Sequence, residues 1–177
     1  CRRMQAEDYA VVELSSFQLM DMTRSPQRAV VTNLAPNHLD VHKDMEEYFQ
    51  VKARLFREPE QGGLPLAGKV KVCNADDAYC RRILEAEAGS IGFGLEQPPV
   101  PGSRHLSGRV ESLSPAGTEL SMSFEGTSWK LSSPLVGGFN AMNLLGAQAM
   151  GLAMGLSPED LRALETFSGV PGRMERI

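Results

Sequence analysis

Over the first half of the chain, short apolar runs alternate with stretches of helical spacing. "YAVVEL" at 9–14, "RAVVTNL" at 28–34, "KVKVCN" at 69–74 and "SIGFG" at 90–94 read as strands. The first two are continuous enough to predict burial on both faces. Between them, "DMEEYFQVKARLF" at 44–56 and "ADDAYCRRILEAEA" at 75–88 are helical by spacing. In the second, Tyr79, Cys80, Ile83 and Leu84 share one face, and Asp76 and Asp77 suit the positive end of the helix dipole. Strand and helix in alternation predict an α/β fold with a mostly parallel sheet flanked by helices.

The pattern changes after residue 97, where "QPPVPGS" interrupts it. "GRVESL", "TELSMSFE" and "TSWKLSS", separated by "SPAG" and "EGT" turns, predict a small antiparallel β subsheet. Leu120, Met122 and Phe124 alternate with Ser121, Ser123 and Glu125, as in a half-buried strand. "NAMNLLGAQAMGLAMG" is apolar almost all round and predicts a buried helix. "SPEDLRALETF" predicts another, with Ser157 as N-cap, Pro158 at its first position and Asp160 closing a box-like cap.

Composition narrows the class without choosing a function. The 177 residues suffice for one domain with a real core, and 42% hydrophobic with 23% charged residues is an ordinary globular profile. A net charge of -4 argues against a diffuse nucleic-acid footprint. No apolar run reaches membrane-spanning length and no signal peptide stands at the start, so the expected place is the cytoplasm. Cys1, Cys73 and Cys80 lack C-x-x-C spacing and are expected as reduced thiols. Both ends look internal to a longer protein: the chain begins without methionine and runs at once into a strand pattern, and "GVPGRMERI" stops where more chain is expected.

One candidate for chemistry fails on inspection. "GLPLAGKV" at 63–70 fits G-x-x-x-x-G-K, but Val70 stands where a hydroxyl must hold magnesium, and the stretch leaves a helix and opens a strand, the reverse of a P-loop. Glu13 is stronger. It ends an apolar run where a parallel sheet would present its carboxyl edge, the place where such sheets bind ligands, and Asn33, His38 and Asp40 follow the next run. A solvated glutamate at a strand end is the plain alternative. Lys52 completes the apolar stripe of Met45, Tyr48, Phe49, Leu55 and Phe56, either as a stem with its ammonium in water or as an amine altered by a shared site with Glu13. His42 lies four residues from His38, but Pro36 and the absence of H-E-x-x-H argue against a zinc helix, and His42 is expected to be structural or solvent-facing.

Taken in order, "VVELSSFQL", "TNLAPNHLDVHKDMEEYFQVKARLF", "VCNADD", "GGFNAMN" and "GVPGRMER" resemble the central ATP-binding domain of the Mur ligases, a P-loop NTPase-like fold. The resemblance covers most of the chain, with little signal at about 97–132. It implies that residues 1–177 are that central domain, with the family's P-loop upstream of residue 1 and 172–177 beginning the hinge to a third domain. "ELSSFQL" with "APNHLDVHKDMEEY" looks most like the D-glutamate-adding members; "FNAMN" and "PGRME" look more like those that add the third residue, diaminopimelate or lysine.

By residue, the resemblance implies magnesium ligands at Glu13, His38 and a carbamylated Lys52, and substrate contacts at Ser15, Ser16 and Gln18. It also implies nucleotide contacts at Asn140, Asn143 and Arg173, although either asparagine could instead cap a helix start. Asn37 stands where many relatives have aspartate, and Gly172 where the D-glutamate ligases usually have histidine. The implied activity is ATP-dependent amide formation in peptidoglycan precursor synthesis, through an acyl phosphate of a UDP-N-acetylmuramoyl peptide, with D-glutamate as the first expected amino acid and the third residue as the alternative. ATP and magnesium are the implied cofactors, a monomer is expected, and the segment alone is expected not to turn over ATP. A noncatalytic nucleotide-binding module and a folate polyglutamate ligase are the rival readings; the joint presence of Glu13, His38 and Lys52 favours an enzyme, and "SSFQL" favours the muramoyl branch.

Overall fold

The structure, a computed structural model, describes residues 4–5, 8–23, 25–36, 41–56, 70–86 and 89–170. Its elements run α1 (Ser16–Met20), β1 (Arg28–Val31), α2 (Met45–Ala53), β2 (Val70–Asn74), α3 (Ala78–Ala86), β3 (Ile91–Gly94), β4 (Arg104–Ser114), β5 (Gly117–Phe124), β6 (Thr127–Ser133), α4 (Gly138–Ala153) and a final 3-10 helix (Asp160–Glu165). The six strands form one sheet in sequence order. β1 to β4 pair in parallel, and β4, β5 and β6 pair antiparallel, so the α/β reading and the antiparallel extension both hold.

Alternation along each strand feeds two cores. Ala29, Val31 and Cys73 meet Tyr48 and Phe49 of α2 and Cys80, Ile83 and Leu84 of α3 on one side. Val72, Phe93, Leu106, Leu120 and Leu131 meet Leu144, Leu145 and Ala149 of α4 in the other cluster. Neighbours Val72 and Cys73 thus serve opposite faces, as the two-residue period requires. The hairpin between β5 and β6 turns on Glu125 (φ 49°) and Gly126 (φ 82°), both left-handed, the backbone of a two-residue turn whose twist matches its strands.

Three expectations are corrected. "YAVVEL" at 9–14 is not a strand: it has no regular structure and is exposed from Tyr9 to Glu13, with Val11 99% accessible. Apolarity says which side chains seek cover but not what pairs with the backbone, and among the described residues neither a ladder nor a covering layer reaches the segment. The run at 28–34 forms a strand only to Val31, buried on alternate residues, because β1 is the edge of the described sheet. The last helix is 3-10 in geometry, although Ser157 and Asp160 do exchange hydrogen bonds: Asp160 N–H donates to Ser157 Oγ at 3.2 Å and Ser157 N–H to Asp160 Oδ2 at 2.8 Å. Cys73 and Cys80 are buried and free, and the Cys80 thiol is pushed up by the Cys73 sulfur beside it and by burial. Cys1 and the stretch 63–69 lie outside the described residues. No described helix is long and apolar enough to cross a membrane.

Candidate functional site

The helix α2 begins at Asp44, whose carboxylate accepts from Glu47 N–H at 2.9 Å, and this cap sets which face turns inward. Tyr48, Phe49 and Val51 are buried on that face, and Lys52 follows them half-buried. Its Nζ lies 3.4 Å from the Leu14 carbonyl oxygen and 5.9 Å from the centre of the Tyr48 ring. Burial pushes the amine below the usual lysine value, while the negative charge of Glu13 pulls it back up. The structure therefore brings Glu13 and Lys52 into one electrostatic environment, with Glu13 accessible. It brings them together through a loop, not through the strand edge that the sequence suggested.

Ser15 and Gln18 are occupied with each other. Ser15 caps α1: Gln18 N–H donates to Ser15 Oγ at 3.3 Å, and Ser15 N–H donates to Gln18 Oε1 at 2.9 Å, a reciprocal capping box. Ser16 is buried and its hydroxyl has no partner among the described residues. Arg54 of the turn after α2 donates to the carbonyls of Leu19 and Met20, which ties α1 to α2. The segment that carries Ser15, Ser16 and Gln18 is thus held against the helix that carries Lys52.

His42 departs from the solvent-facing alternative. It is 1% exposed, its ring lies 6.3 Å from that of Phe17 and 5.2 Å from that of Tyr48, and neither ring nitrogen has a hydrogen-bond partner among the described residues. His38, Asp40 and Arg173 lie outside the described residues. Among the described residues no group of three or more His, Cys, Asp or Glu could hold a metal.

Asn140 and Asn143 sit in the first turns of α4. Asn140 Nδ2 donates to the Val136 carbonyl at 2.8 Å, and Asn143 Nδ2 reaches Asn140 Oδ1 at 3.4 Å. Both side chains therefore fasten the helix start, and Asn143 remains exposed. No contact among the described residues joins this pair to Glu13 or Lys52.

The carboxyl edge of the sheet is organised by the "NADD" turn, whose Asp76 and Asp77 do more than suit a helix dipole. Asp76 accepts three backbone N–H groups, from Leu95 (2.6 Å), Glu96 (3.2 Å) and Gln97 (2.8 Å). Gly94 makes room for it, since a Cβ there would meet Asp76 Oδ1 at 2.6 Å. His105, on the neighbouring strand, is pushed below the usual histidine value by burial, with Asp76 opposing and Arg81 reinforcing. Asp77 and Asn74 reach back to the loop after β1, at Leu34 N–H and the Thr32 carbonyl. The signal available in the sequence was the density of short acidic and amide side chains directly after a strand, which suits turns and helix starts.

A parallel sheet whose carboxyl edge carries such a turn, with a half-buried lysine set against a glutamate beside it, defines an α/β domain of the ligand-binding kind. The family model of the Mur ligase middle domain matches residues 1–151, and the chain belongs to that family. Among its relatives, the UDP-N-acetylmuramoyl-L-alanyl-D-glutamate–2,6-diaminopimelate ligase of Lawsonia intracellularis is 44% identical over 99% of this chain and 36% of its own length. The enzyme of the same name from Synechococcus elongatus is 41% identical over 95% of this chain and 33% of its own. A UDP-N-acetylmuramoylalanine–D-glutamate ligase of Nitrosomonas europaea is 35% identical over 99% of this chain and 36% of its own. The chain thus spans about a third of the relatives it matches, 36% of the first. A solved diaminopimelate-adding ligase superposes with a TM-score of 0.69 at 26% identity, covering 93% of this chain and 33% of that one. MurF of Acinetobacter baumannii, at 24% identity and a TM-score of 0.66 over 86% of this chain and 32% of its own, shares the fold.

Proposed function

We propose that this chain is the central part of the ligase that adds the third residue, diaminopimelate or lysine, to UDP-N-acetylmuramoyl-L-alanyl-D-glutamate. The observation that carries the reading is the 44% identity to a diaminopimelate-adding ligase along 99% of the chain. The D-glutamate-adding reading, favoured at first by "ELSSFQL", rests on a relative at 35% identity over the same share.

The reaction transfers the γ-phosphoryl group of ATP to the substrate carboxylate with release of ADP. The amine of the incoming amino acid then attacks the acyl carbon, the carbon–oxygen bond to phosphate breaks, and the amine gives up a proton as the amide forms. Magnesium, when bound, offsets negative charge on the transferring phosphoryl group. A hard cation of this kind takes oxygen ligands. Glu13 offers an accessible carboxylate, and Lys52 becomes an oxygen donor once carbamylated. Carbamylation joins the amine nitrogen to carbon dioxide with loss of a proton, and it needs the neutral amine that burial of Lys52 favours. His38 is the proposed third ligand.

Ser15, Ser16 and Gln18 are the proposed substrate contacts. Ser15 and Gln18 are exposed and joined in the capping box, whereas the Ser16 hydroxyl is buried behind them with no partner among the described residues. Asn140, Asn143 and Arg173 are the proposed nucleotide contacts, with Asn143 the exposed member of the amide pair. Positioning and electrostatics are the chain's share of the catalysis. A cytoplasmic location goes with this reading, since the reaction consumes ATP and a UDP-linked precursor.

The test is phosphate release by the full-length protein with ATP and magnesium. Release with UDP-N-acetylmuramoyl-L-Ala-D-Glu plus diaminopimelate or lysine is expected. Release only with UDP-N-acetylmuramoyl-L-Ala plus D-glutamate moves the assignment to the second-residue ligase, and silence with both pairs revives the noncatalytic module.

A further inference from the structure

The helix α1 has five residues, too few to persist alone, so its place is set by what it touches. Ser16 and Leu19 form its buried face, and the Ser15–Gln18 box closes its start. At its end, Met22 N–H donates to the Leu19 carbonyl at 3.2 Å. The other donor comes from more than thirty residues away: Arg54 Nη1 donates to the Leu19 carbonyl at 3.3 Å and to the Met20 carbonyl. A cationic side chain on the last carbonyls of a helix satisfies acceptors that the helix itself leaves open.

Arg54 is itself held firmly. It is the C-cap of α2, and the turn continues through Leu55 N–H to the Lys52 carbonyl at 3.2 Å and Phe56 N–H to the Ala53 carbonyl at 3.0 Å. Phe56 is buried in the core that also takes Ala29, Val31 and Cys73, so the guanidinium refers α1 to the body of the sheet. The burial of Leu19 and the contact of Phe17 with His42 also keep α1 on this face. Apolar contacts of that kind are non-directional and tolerate sliding and rotation, whereas hydrogen bonds to two named carbonyls fix the register. At the other end of the segment, Lys52 Nζ lies 3.4 Å from the Leu14 carbonyl oxygen. Two cations, two residues apart, thus bracket Leu14 to Met20. Carbamylation would turn Lys52 into an anion, and Arg54 is the bracket that stays.

We propose that Arg54 is a positioning residue for the UDP-linked substrate: by holding the Leu19 and Met20 carbonyls it fixes α1 on α2, and with it the exposed face of Ser15 and Gln18. The inference rests on the reading of Ser15, Ser16 and Gln18 as substrate contacts. Arg54 acts through α1, whose outer face carries Ser15 and Gln18.

The test uses the full-length protein. Arg54→Met keeps the stem and removes both donors. Calorimetric binding of UDP-N-acetylmuramoyl-L-Ala-D-Glu, without ATP or magnesium, is expected to weaken about tenfold, the scale of one lost charged hydrogen bond, while binding of ADP with magnesium stays within about twofold. In phosphate release, KM for the UDP-linked substrate should rise by a similar factor, with kcat within about twofold of wild type. Exchange of the Leu19 amide, which donates to the Ser15 carbonyl at 3.2 Å, should accelerate. Arg54→Lys keeps the charge but offers one head in place of a fork, and it is expected to lose about threefold in the same affinity. It carries the test if the methionine variant does not fold.

A merely structural role predicts a lower melting temperature with unchanged affinity and KM, and that result overturns the proposal. An equal loss of ADP and UDP-substrate binding overturns it as well, as does wild-type affinity in Arg54→Lys when Arg54→Met fails to fold. A wild-type protein that binds no UDP-N-acetylmuramoyl-L-Ala-D-Glu overturns the functional reading itself. Wild-type binding with unaffected variants overturns only the role of Arg54.

Discussion

Lys52 is the residue at which stability and chemistry pull apart. Its amine is half-buried against Tyr48 and the Leu14 carbonyl, and burial lowers its proton affinity more than Glu13 restores it. Between the lowered folded value and the ordinary 10.5, the unfolded chain binds more protons than the folded one, so stability rises with pH across that window. Below it the ammonium is a buried charge that the fold tolerates at a cost. Lys52→Met fills the apolar stripe without that charge. In buffer free of carbon dioxide its melting temperature at pH 7 is expected to equal or exceed wild type, with the gap narrowing as pH approaches 10, while phosphate release by the full-length protein is lost. A variant that melts several degrees lower at every pH would show the ammonium to be a stabilising partner instead. The stripe made Lys52 legible from spacing alone, because a charged residue at an inward helical position is conspicuous. His42 was legible only as far as two alternatives, structural or solvent-facing: the burial that decides between them comes from the rings of Phe17 and Tyr48, and Phe17 belongs to a different element.

At the scale of elements, what could be read was what spacing encodes. The strands at 69–74 and 90–94, the antiparallel strands and the helix at 44–56 follow from local periodicity and fall within a few residues of their observed bounds. The hydrogen bonds from Asn74 to the Thr32 carbonyl and from Leu34 N–H to Asp77 span more than forty residues, and no local pattern announces them. The same holds for the seam around Gln148, a fully buried amide on the apolar helix α4. Its Oε1 accepts from Trp129 Nε1–H on β6 at 3.3 Å, and its Nε2 donates to the Leu161 carbonyl of the 3-10 helix at 3.2 Å. Three elements meet on one side chain. Gln148→Leu preserves volume but leaves a buried donor and a buried acceptor unpaired, at a loss of roughly 1–3 kcal/mol. Urea denaturation should show a lower midpoint with an unchanged slope. A midpoint within error of wild type would mean that water replaces both bonds.

Over the whole molecule, the described sheet ends in two edge strands, β1 and β6. The 3-10 helix packs against β6, whereas near β1 Val30 is partly exposed and Tyr9, Val11 and Val12 of the irregular stretch before it are accessible. The guanidinium of Arg28 lies 5.1 Å from the centre of the Tyr9 ring, which holds the stretch near the strand without covering the valines. The sequence showed the apolar run correctly, and its error was to supply a partner that the described residues do not contain. An edge strand with exposed apolar side chains near it is a template for association. The 177-residue chain is therefore expected to associate as its concentration rises, by sedimentation velocity, and Val11→Ser with Val12→Ser is expected to suppress this. Val11 is 99% exposed and packs against nothing, so the paired change should leave the melting temperature almost unmoved. A chain that stays monomeric at high concentration would refute the argument. Association that persists in the paired variant would move its origin to another surface, such as the exposed Phe139 and Val136 at the start of α4.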